Sequence, residues 1–130
     1  MFLILGIVLA AVAALLHVYI FVLESVRWTH PSTRRVFGVP SEADAQTMKA
    51  LAFNQGFYNL FLAVITVIGI VIALSGGTAV GIALMLAGTG TMLAAALVLI
   101  LSDASKARAA AVQGTLPLLA VISLIVSATT

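Results

Sequence analysis

Residues 51–59 read Leu-Ala-Phe-Asn-Gln-Gly-Phe-Tyr-Asn, and this stretch opens an apolar segment that continues to about residue 74. The segment is long and apolar enough to be a membrane-spanning helix. Its first turns nevertheless carry Asn54, Gln55, Tyr58 and Asn59. Amide and hydroxyl groups are costly in hydrocarbon unless other groups hydrogen-bond to them. The stretch therefore predicts a membrane helix whose polar side chains meet polar groups from other helices.

The composition also indicates an integral membrane protein. Of the 130 residues, 63% are hydrophobic and 8% are charged, whereas a soluble domain carries about 25% charged residues. So few charges cannot cover a water-facing surface, and the length suits one domain over residues 1–130. The chain contains no cysteine, which excludes disulfides, a thiolate nucleophile and cysteine ligands to a metal.

Four apolar runs predict an all-α fold, an antiparallel bundle of four transmembrane helices. The runs cover about residues 2–26, 46–74, 78–102 and 109–126. At about 1.5 Å per residue, each is close to or above the length that crosses a hydrocarbon core of about 30 Å. Ser41, followed by Asp44, predicts an N-cap for the second helix. This helix is longer than a bilayer requires, so its first turns, to about residue 50, should emerge into water or lie in the headgroup region.

The placement of charge predicts an orientation. All six Lys and Arg residues lie near the connection between the first and second runs or between the third and fourth. Alternating spans place these two connections on one side of the membrane. By the positive-inside rule, both termini are expected outside and the charged connections in the cytoplasm. These residues form no basic face for a phosphate backbone, so we expect no nucleic-acid partner.

Polar residues inside the runs predict a shared pocket. His17 and Glu24 are seven residues apart and lie on one face of the first helix. The second helix runs antiparallel to the first, so its polar residues overlap these two in depth, and the fourth helix adds a glutamine. We therefore predict one binding pocket in the cytoplasmic half of the bundle, formed by His17, Glu24, Asn54, Gln55, Tyr58, Asn59 and Gln113.

Each of these residues also has a purely structural interpretation, and both interpretations stay open. Glu24 could pair with Arg27 one turn away, and His17 could be a hydrogen-bonding residue between helices. The amides could join helices, each contributing about 1 kcal/mol. His17 and Glu24 supply two metal ligands where zinc needs three or four, so we predict neither a metal nor a cofactor.

The third run carries a stripe of small residues at a spacing of four: Ala83, Ala87, Thr91 and Ala95. Such stripes let helix backbones approach closely in membranes. The stripe could pack inside the bundle or against a second copy of the chain, which would make a homodimer.

Four segments of the chain together resemble a known family. They are His17-Val-Tyr-Ile-Phe-Val-Leu-Glu24, Trp28-Thr29, Arg35-Val-Phe-Gly38 and Asn54-Gln-Gly-Phe-Tyr-Asn59. The combination resembles a family of small bacterial integral membrane proteins known only as a domain of unknown function. The resemblance covers nearly the whole chain and implies a four-helix protein of the inner membrane. It implies no activity and assigns no catalytic residue.

Three functions therefore remain open. The first, which we favour, is a small-molecule binding protein or carrier in which Glu24 or His17 couples protonation to binding. The second is a membrane-embedded enzyme that acts on a lipid-like substrate with these two residues as acid and base. The third is an accessory subunit whose polar cluster is structural. The expected partners are the lipid bilayer and a small-molecule or lipid ligand.

Overall fold

A computed structural model describes residues 1–129, and all the regular structure within them is helical. The helices are α1 (Phe2–Phe21, continued by a π-helical turn, Val22–Val26), α2 (Pro31–Phe37), α3 (Glu42–Leu74), α4 (Thr78–Ser102) and α5 (Ala107–Thr129). The α1, α3, α4 and α5 segments are long and apolar enough to cross a membrane. The predicted all-α bundle of four spans is confirmed. The short helix α2 lies in a connection that the sequence predicted to be a loop.

The four long helices form a ring. Helix α1 packs against α3 and α5, and α4 packs against the same two helices, so that α1 and α4 lie diagonally opposite. Gly6 near the start of α1 lies against Leu124 near the end of α5. Gly114 near the start of α5 lies against Ala96 near the end of α4. Neighbouring helices are therefore antiparallel.

Close backbone approach holds α3 against α4. A Cβ atom added at Gly69 of α3 would come within 2.8 Å of the Gly81 carbonyl oxygen and of the Met85 backbone nitrogen in α4. Lipid is as apolar as the helices themselves, so close packing rather than the hydrophobic effect joins helices in a membrane. The small residues at this crossing provide that packing.

The small-residue stripe of α4 lies on the outer surface of the bundle. Ala83, Ala87, Thr91 and Ala95 are all exposed. The opposite face of α4 carries the buried residues, which are Gly81, Ile82, Met85, Gly88, Thr89, Met92 and Ala96. The stripe therefore does not pack inside the bundle, which was one of the two arrangements that the sequence left open.

Helix α3 extends well beyond its neighbour α4. It has 33 residues and α4 has 25, and a tight turn at Ser75–Gly77 joins them, with Gly76 at a φ of 98°. At about 1.5 Å per residue, the other end of α3 extends about 12 Å further. Ser41 caps this end, because its hydroxyl accepts a hydrogen bond from the Asp44 backbone N–H at 3.1 Å. Both the cap and the extension agree with the sequence prediction.

The extended end of α3 packs against the connection from α1. The indole N–H of Trp28 donates to the Ala45 carbonyl oxygen at 2.8 Å. Trp28 is buried in a small cluster with Phe37, Val39, Ala45 and Ala52. This cluster fixes α2 and the start of α3 relative to the end of α1.

The second charged connection meets the first at the same end of the bundle. Asp103 accepts hydrogen bonds from the Ser105 backbone N–H at 2.9 Å and from its hydroxyl at 2.6 Å. These hydrogen bonds lower the pKa of the Asp103 carboxyl group. Lys106, which ends the 3₁₀-helical turn Ala104–Lys106, donates to the Phe37 carbonyl oxygen at 3.4 Å. The two charged connections therefore lie together, as alternating spans require.

Candidate functional site

The site forms where the end of α1 crosses α3, and a π-helical turn shapes the α1 side. The Arg27 backbone N–H donates to the Val22 carbonyl oxygen at 2.9 Å, five residues back rather than four. The wider turn carries Glu24 and Ser25, and both reach α3. Regular α-helical spacing does not predict the contact of Ser25 with α3, because it turns Ser25 to a different face from Glu24. Such turns are frequent at functional sites.

Gly56 of α3 lets the two helices approach this closely. A Cβ atom at Gly56 would collide with the Ser25 hydroxyl oxygen and lie 3.0 Å from the Ser25 backbone nitrogen. The Ser25 hydroxyl donates to the Phe53 carbonyl oxygen at 2.9 Å. On one side of the crossing, the ring of Phe21 packs edge-on against that of Phe57, with centroids 5.1 Å apart.

Glu24 is hydrogen-bonded to α3 through Asn59. The side-chain nitrogen of Asn59 donates to Glu24 Oε2 at 2.9 Å and also to the Gln55 carbonyl oxygen at 3.1 Å. The glutamate is only 8% exposed. Within residues 1–129, Asn59 is the only hydrogen-bond donor found for this carboxylate. The alternative pairing of Glu24 with Arg27 is therefore not the arrangement in the structure.

Two open depressions adjoin this crossing. The first, called the Glu24 cleft, has a volume of about 490 Å³ and is lined by Glu24, Trp28, Met48, Leu51, Ala52, Asn54, Gln55 and Tyr58. The second, called the Lys49 depression, has a volume of about 550 Å³ and is lined by Glu24, Ser25, Val26, Trp28, Thr29, Gln46, Lys49, Ala50, Phe53 and Asn54. Volumes of this size are typical of small-molecule sites.

The Glu24 cleft lies on the outer face of the α1–α3 pair. Asn54, Gln55 and Tyr58 in its wall are exposed, Tyr58 by 63%. About 20 residues of helix cross a hydrocarbon core of about 30 Å. Counting from Leu74 at the far end of α3, this distance ends near Gln55. The cleft thus lies close to the boundary between hydrocarbon and headgroups, with Asn59 about one turn deeper.

Three of the predicted site residues do not line this cleft: Asn59, which bonds to Glu24 from about one turn deeper on α3, and His17 and Gln113, which lie apart from it. His17 is 2% exposed, and its Nδ1 lies 2.9 Å from the carbonyl oxygen of Ala13 in its own helix. Gln113 of α5 is half-buried. The contact between Gly6 and Leu124 puts Gln113 near the depth of His17, about two turns deeper than Glu24. Neither residue lines the Glu24 cleft or the Lys49 depression.

The buried hydroxyls near the depth of His17 show the same type of bonding. Thr66 donates to the Leu62 carbonyl oxygen at 2.8 Å, and Thr89 donates to that of Met85 at 2.7 Å. Each threonine hydroxyl thus bonds to its own helix, four residues back, as Nδ1 of His17 does. The structure brings Glu24, Asn54, Gln55, Tyr58 and Asn59 together and leaves His17 and Gln113 apart from them.

Sequence reasoning missed two residues of the site. Regular α-helical spacing directs Ser25 to a different face of α1 from Glu24, and the π-helical turn that brings it to α3 has no simple sequence signal. Trp28 follows the first apolar run, where a tryptophan is typical of the membrane interface, and it also lines both depressions. A buried indole N–H needs an acceptor, and Phe37 lies near enough in sequence to suggest a packed cluster.

The chemistry of the cleft is that of a polar binding site with one carboxyl group. The wall offers amide groups, a phenol and Glu24, together with the apolar side chains of Met48 and Leu51. Within residues 1–129, no group of three or more His, Asp or Glu side chains is placed to hold a metal ion. The arrangement can hydrogen-bond a polar or charged group while apolar surface lies beside it.

Comparison with protein families assigns the chain to one of them. Residues 11–125 match the family described as "Protein of unknown function (DUF1304)", and the chain belongs to that family. No curated protein and no solved structure matches the chain.

The bond between Glu24 and Asn59 predicts an energetic coupling. We expect a double-mutant cycle of Glu24→Ala and Asn59→Ala to give a coupling of about 1–2 kcal/mol in the free energy of unfolding, because each single change leaves a polar partner unpaired. Unfolding by SDS in mixed micelles measures it. Asn54→Ala is the matched control and should show coupling with Glu24→Ala below about 0.5 kcal/mol. Equal coupling in both cycles would contradict the specific bond.

Proposed function

We propose that this member of the family is a small-molecule binding protein or carrier of the bacterial inner membrane, and that its ligand site is the Glu24 cleft. The observation that carries the proposal is a nearly buried carboxyl group in the wall of a cleft of about 490 Å³. Ionisable residues within membrane segments are costly, and they are functional candidates for that reason. The exposed amides of Asn54 and Gln55 beside it are costly in the same way.

The position of the cleft supports an amphiphilic ligand. The cleft lies on the outer face of the bundle near the boundary between hydrocarbon and headgroups, so that a ligand can enter sideways from the lipid leaflet. Phe61 and Ile65 are exposed on α3 one and two turns deeper than Tyr58. Polar atoms of a ligand would meet Glu24 and the amides, and its apolar part would lie along these side chains toward the hydrocarbon.

The separation of His17 from Glu24 favours binding over the enzymatic alternative. An acid and a base that act on one substrate must both reach it, through hydrogen bonds or one water molecule. Glu24 lines the cleft and His17 does not. His17 is also bonded to its own helix, as the neighbouring threonines are.

An accessory subunit is the second candidate function. The bonding of His17 to the Ala13 carbonyl favours a structural role for this histidine. In this case the cleft would hold no ligand, and the polar residues would act only through the stability of the bundle.

Retention of a ligand during purification tests the proposal. We expect native mass spectrometry of the wild-type protein from bacterial membranes to show a bound small molecule, and Tyr58→Ala and Asn54→Ala to lose it because they alter the cleft wall. Val64→Ala is the matched control, since Val64 is 45% exposed on α3 and lies outside the cleft. A wild-type protein without a ligand would support the accessory role instead, and retention of the ligand by both cleft variants would contradict the Glu24 cleft as its site.

We further propose that both termini lie outside the cytoplasm and that the two charged connections lie inside it. The contact between Lys106 and Phe37 supports this, because it puts the basic residues of both connections at one end of the bundle. The positive-inside rule then favours that end as cytoplasmic.

Labelling of single introduced cysteines tests this orientation, and the chain is suited to it because its sequence contains no cysteine. Thr78 and Ala104 are exposed and lie at opposite ends of α4. In cells with a permeable outer membrane, we expect an impermeant maleimide to label Thr78→Cys directly and Ala104→Cys only after the inner membrane is opened. The reverse pattern would invert the orientation, and labelling of both positions would indicate mixed insertion.

A carrier built from four short spans encloses little space, and we propose that two copies meet along the exposed stripe of α4. Small outward-facing residues allow close helix contact. We expect oxidation to cross-link Ala87→Cys in membranes. Val67→Cys on α3 is the control, because Val67 is 47% exposed and the neighbouring Thr66 packs against Gly88 at the same depth. Equal cross-linking of the two variants would indicate random collision instead of a dimer.

A further inference from the structure

The Glu24 carboxyl group lacks a positively charged partner in the structure. Its hydrogen bond comes from the neutral amide of Asn59, at 2.9 Å. Within residues 1–129, no ion pair of Glu24 with Lys, Arg or His is found. A neutral donor offsets little of the cost of moving a charge out of water, and a nearby cation offsets far more. The carboxylate can accept further hydrogen bonds, because Asn59 occupies only one of its oxygens.

The remaining polar groups in the wall of the Glu24 cleft can accept hydrogen bonds from a ligand. Asn54 and Gln55 each provide a side-chain carbonyl oxygen, and Tyr58 provides a phenol oxygen. Two donors of the site are already used inside the protein: the Trp28 indole N–H bonds to Ala45 and the Ser25 hydroxyl bonds to Phe53. The same amides and the phenol also carry donor hydrogens, so it is the Glu24 carboxylate, which can only accept, that favours a head group with N–H donors.

The charge of the Glu24 cleft also favours a cation. Within residues 1–129, Glu24 is the single charged residue in the wall of the Glu24 cleft. Lys49 lines the neighbouring Lys49 depression and not this cleft. An ammonium head group in the Glu24 cleft would pair with the carboxylate through charge-assisted hydrogen bonds, which are about twice as strong as neutral ones. The aromatic ring of Tyr58 adds a favourable surface for a cation.

From this complementarity we propose that the Glu24 cleft binds amphiphiles of the adjacent lipid leaflet whose head group is a protonated amine. The ammonium group donates to Glu24 and to the side-chain carbonyl groups of Asn54 and Gln55. The apolar tail runs from the cleft past Tyr58 toward the hydrocarbon, along the exposed side chains of Phe61 and Ile65 on α3. This inference rests on the proposed function, since it names the ligand class of the same site.

The single tryptophan of the chain makes the site directly observable. Trp28 lines the Glu24 cleft, and no other tryptophan contributes to the fluorescence. The probe is dodecylamine, added to the protein in neutral lipid nanodiscs. Dodecanol, which lacks charge, and dodecyltrimethylammonium, which lacks N–H donors, are the matched ligands. We expect a saturable change in Trp28 fluorescence with dodecylamine, weaker binding of the trimethylammonium compound and no saturable change with dodecanol.

Variants link the change to the carboxylate. Glu24→Gln removes the charge but can still accept the hydrogen bond from Asn59, and we expect binding of dodecylamine to weaken at least about tenfold. Glu42→Gln is the control, because Glu42 begins α3 and lies outside both depressions. Asn54→Leu provides a second variant that leaves Glu24 in place, and we expect it to weaken binding severalfold.

The outcomes separate this inference from the function on which it rests. Saturable binding of dodecanol as strong as that of dodecylamine, or equal binding to wild type, Glu24→Gln and Asn54→Leu, would overturn the ammonium class while leaving an amphiphile site in place. If none of the three amphiphiles changes the fluorescence saturably, both the ammonium class and the amphiphile site are overturned.

Discussion

The close crossing of α1 and α3 at Gly56 is the constraint on which the site depends. No side chain separates the two backbones there, and Ser25 occupies the space that a Cβ atom would take. Only this short separation lets Asn59, one turn further along α3, reach Glu24. The π-helical turn adds the second condition, because it presents Glu24 and Ser25 to the same helix. A regular turn would direct one of the two residues elsewhere.

The extended end of α3 gives the crossing a support beyond the end of α4. Trp28 follows the π-helical turn directly and is bonded to Ala45, which lies in the part of α3 that protrudes beyond α4. The cluster around Trp28 therefore holds the end of α1 at a fixed position on α3. The same cluster forms one side of the Glu24 cleft, so that the cleft is built on packed protein and not on a loop.

The sequence predicted the bundle well because length and hydropathy alone define membrane spans. It also predicted that Glu24 and the polar residues of 54–59 lie near one another, since antiparallel helices with charged ends at one side must overlap in depth. It could not predict which sides of the helices meet. His17 is buried at a depth where Ala13 and Ala14 of α1 are buried too, so the close packing of small residues decides which sides of the helices meet. The turn that moves Ser25 depends on backbone hydrogen bonding, which residue types do not reveal.

The polar side chains of the helices are hydrogen-bonded in two different ways, although placing any of them in an apolar environment is costly. Deep in the bundle, the hydroxyls of Thr66 and Thr89 and the Nδ1 atom of His17 bond to carbonyl groups of their own helices. Near the charged end, Glu24 bonds to another helix, and the amides of Asn54 and Gln55 remain exposed on the outer face. The contrast favours the α1–α3 cleft over the centre of the bundle as the position of the proposed ligand.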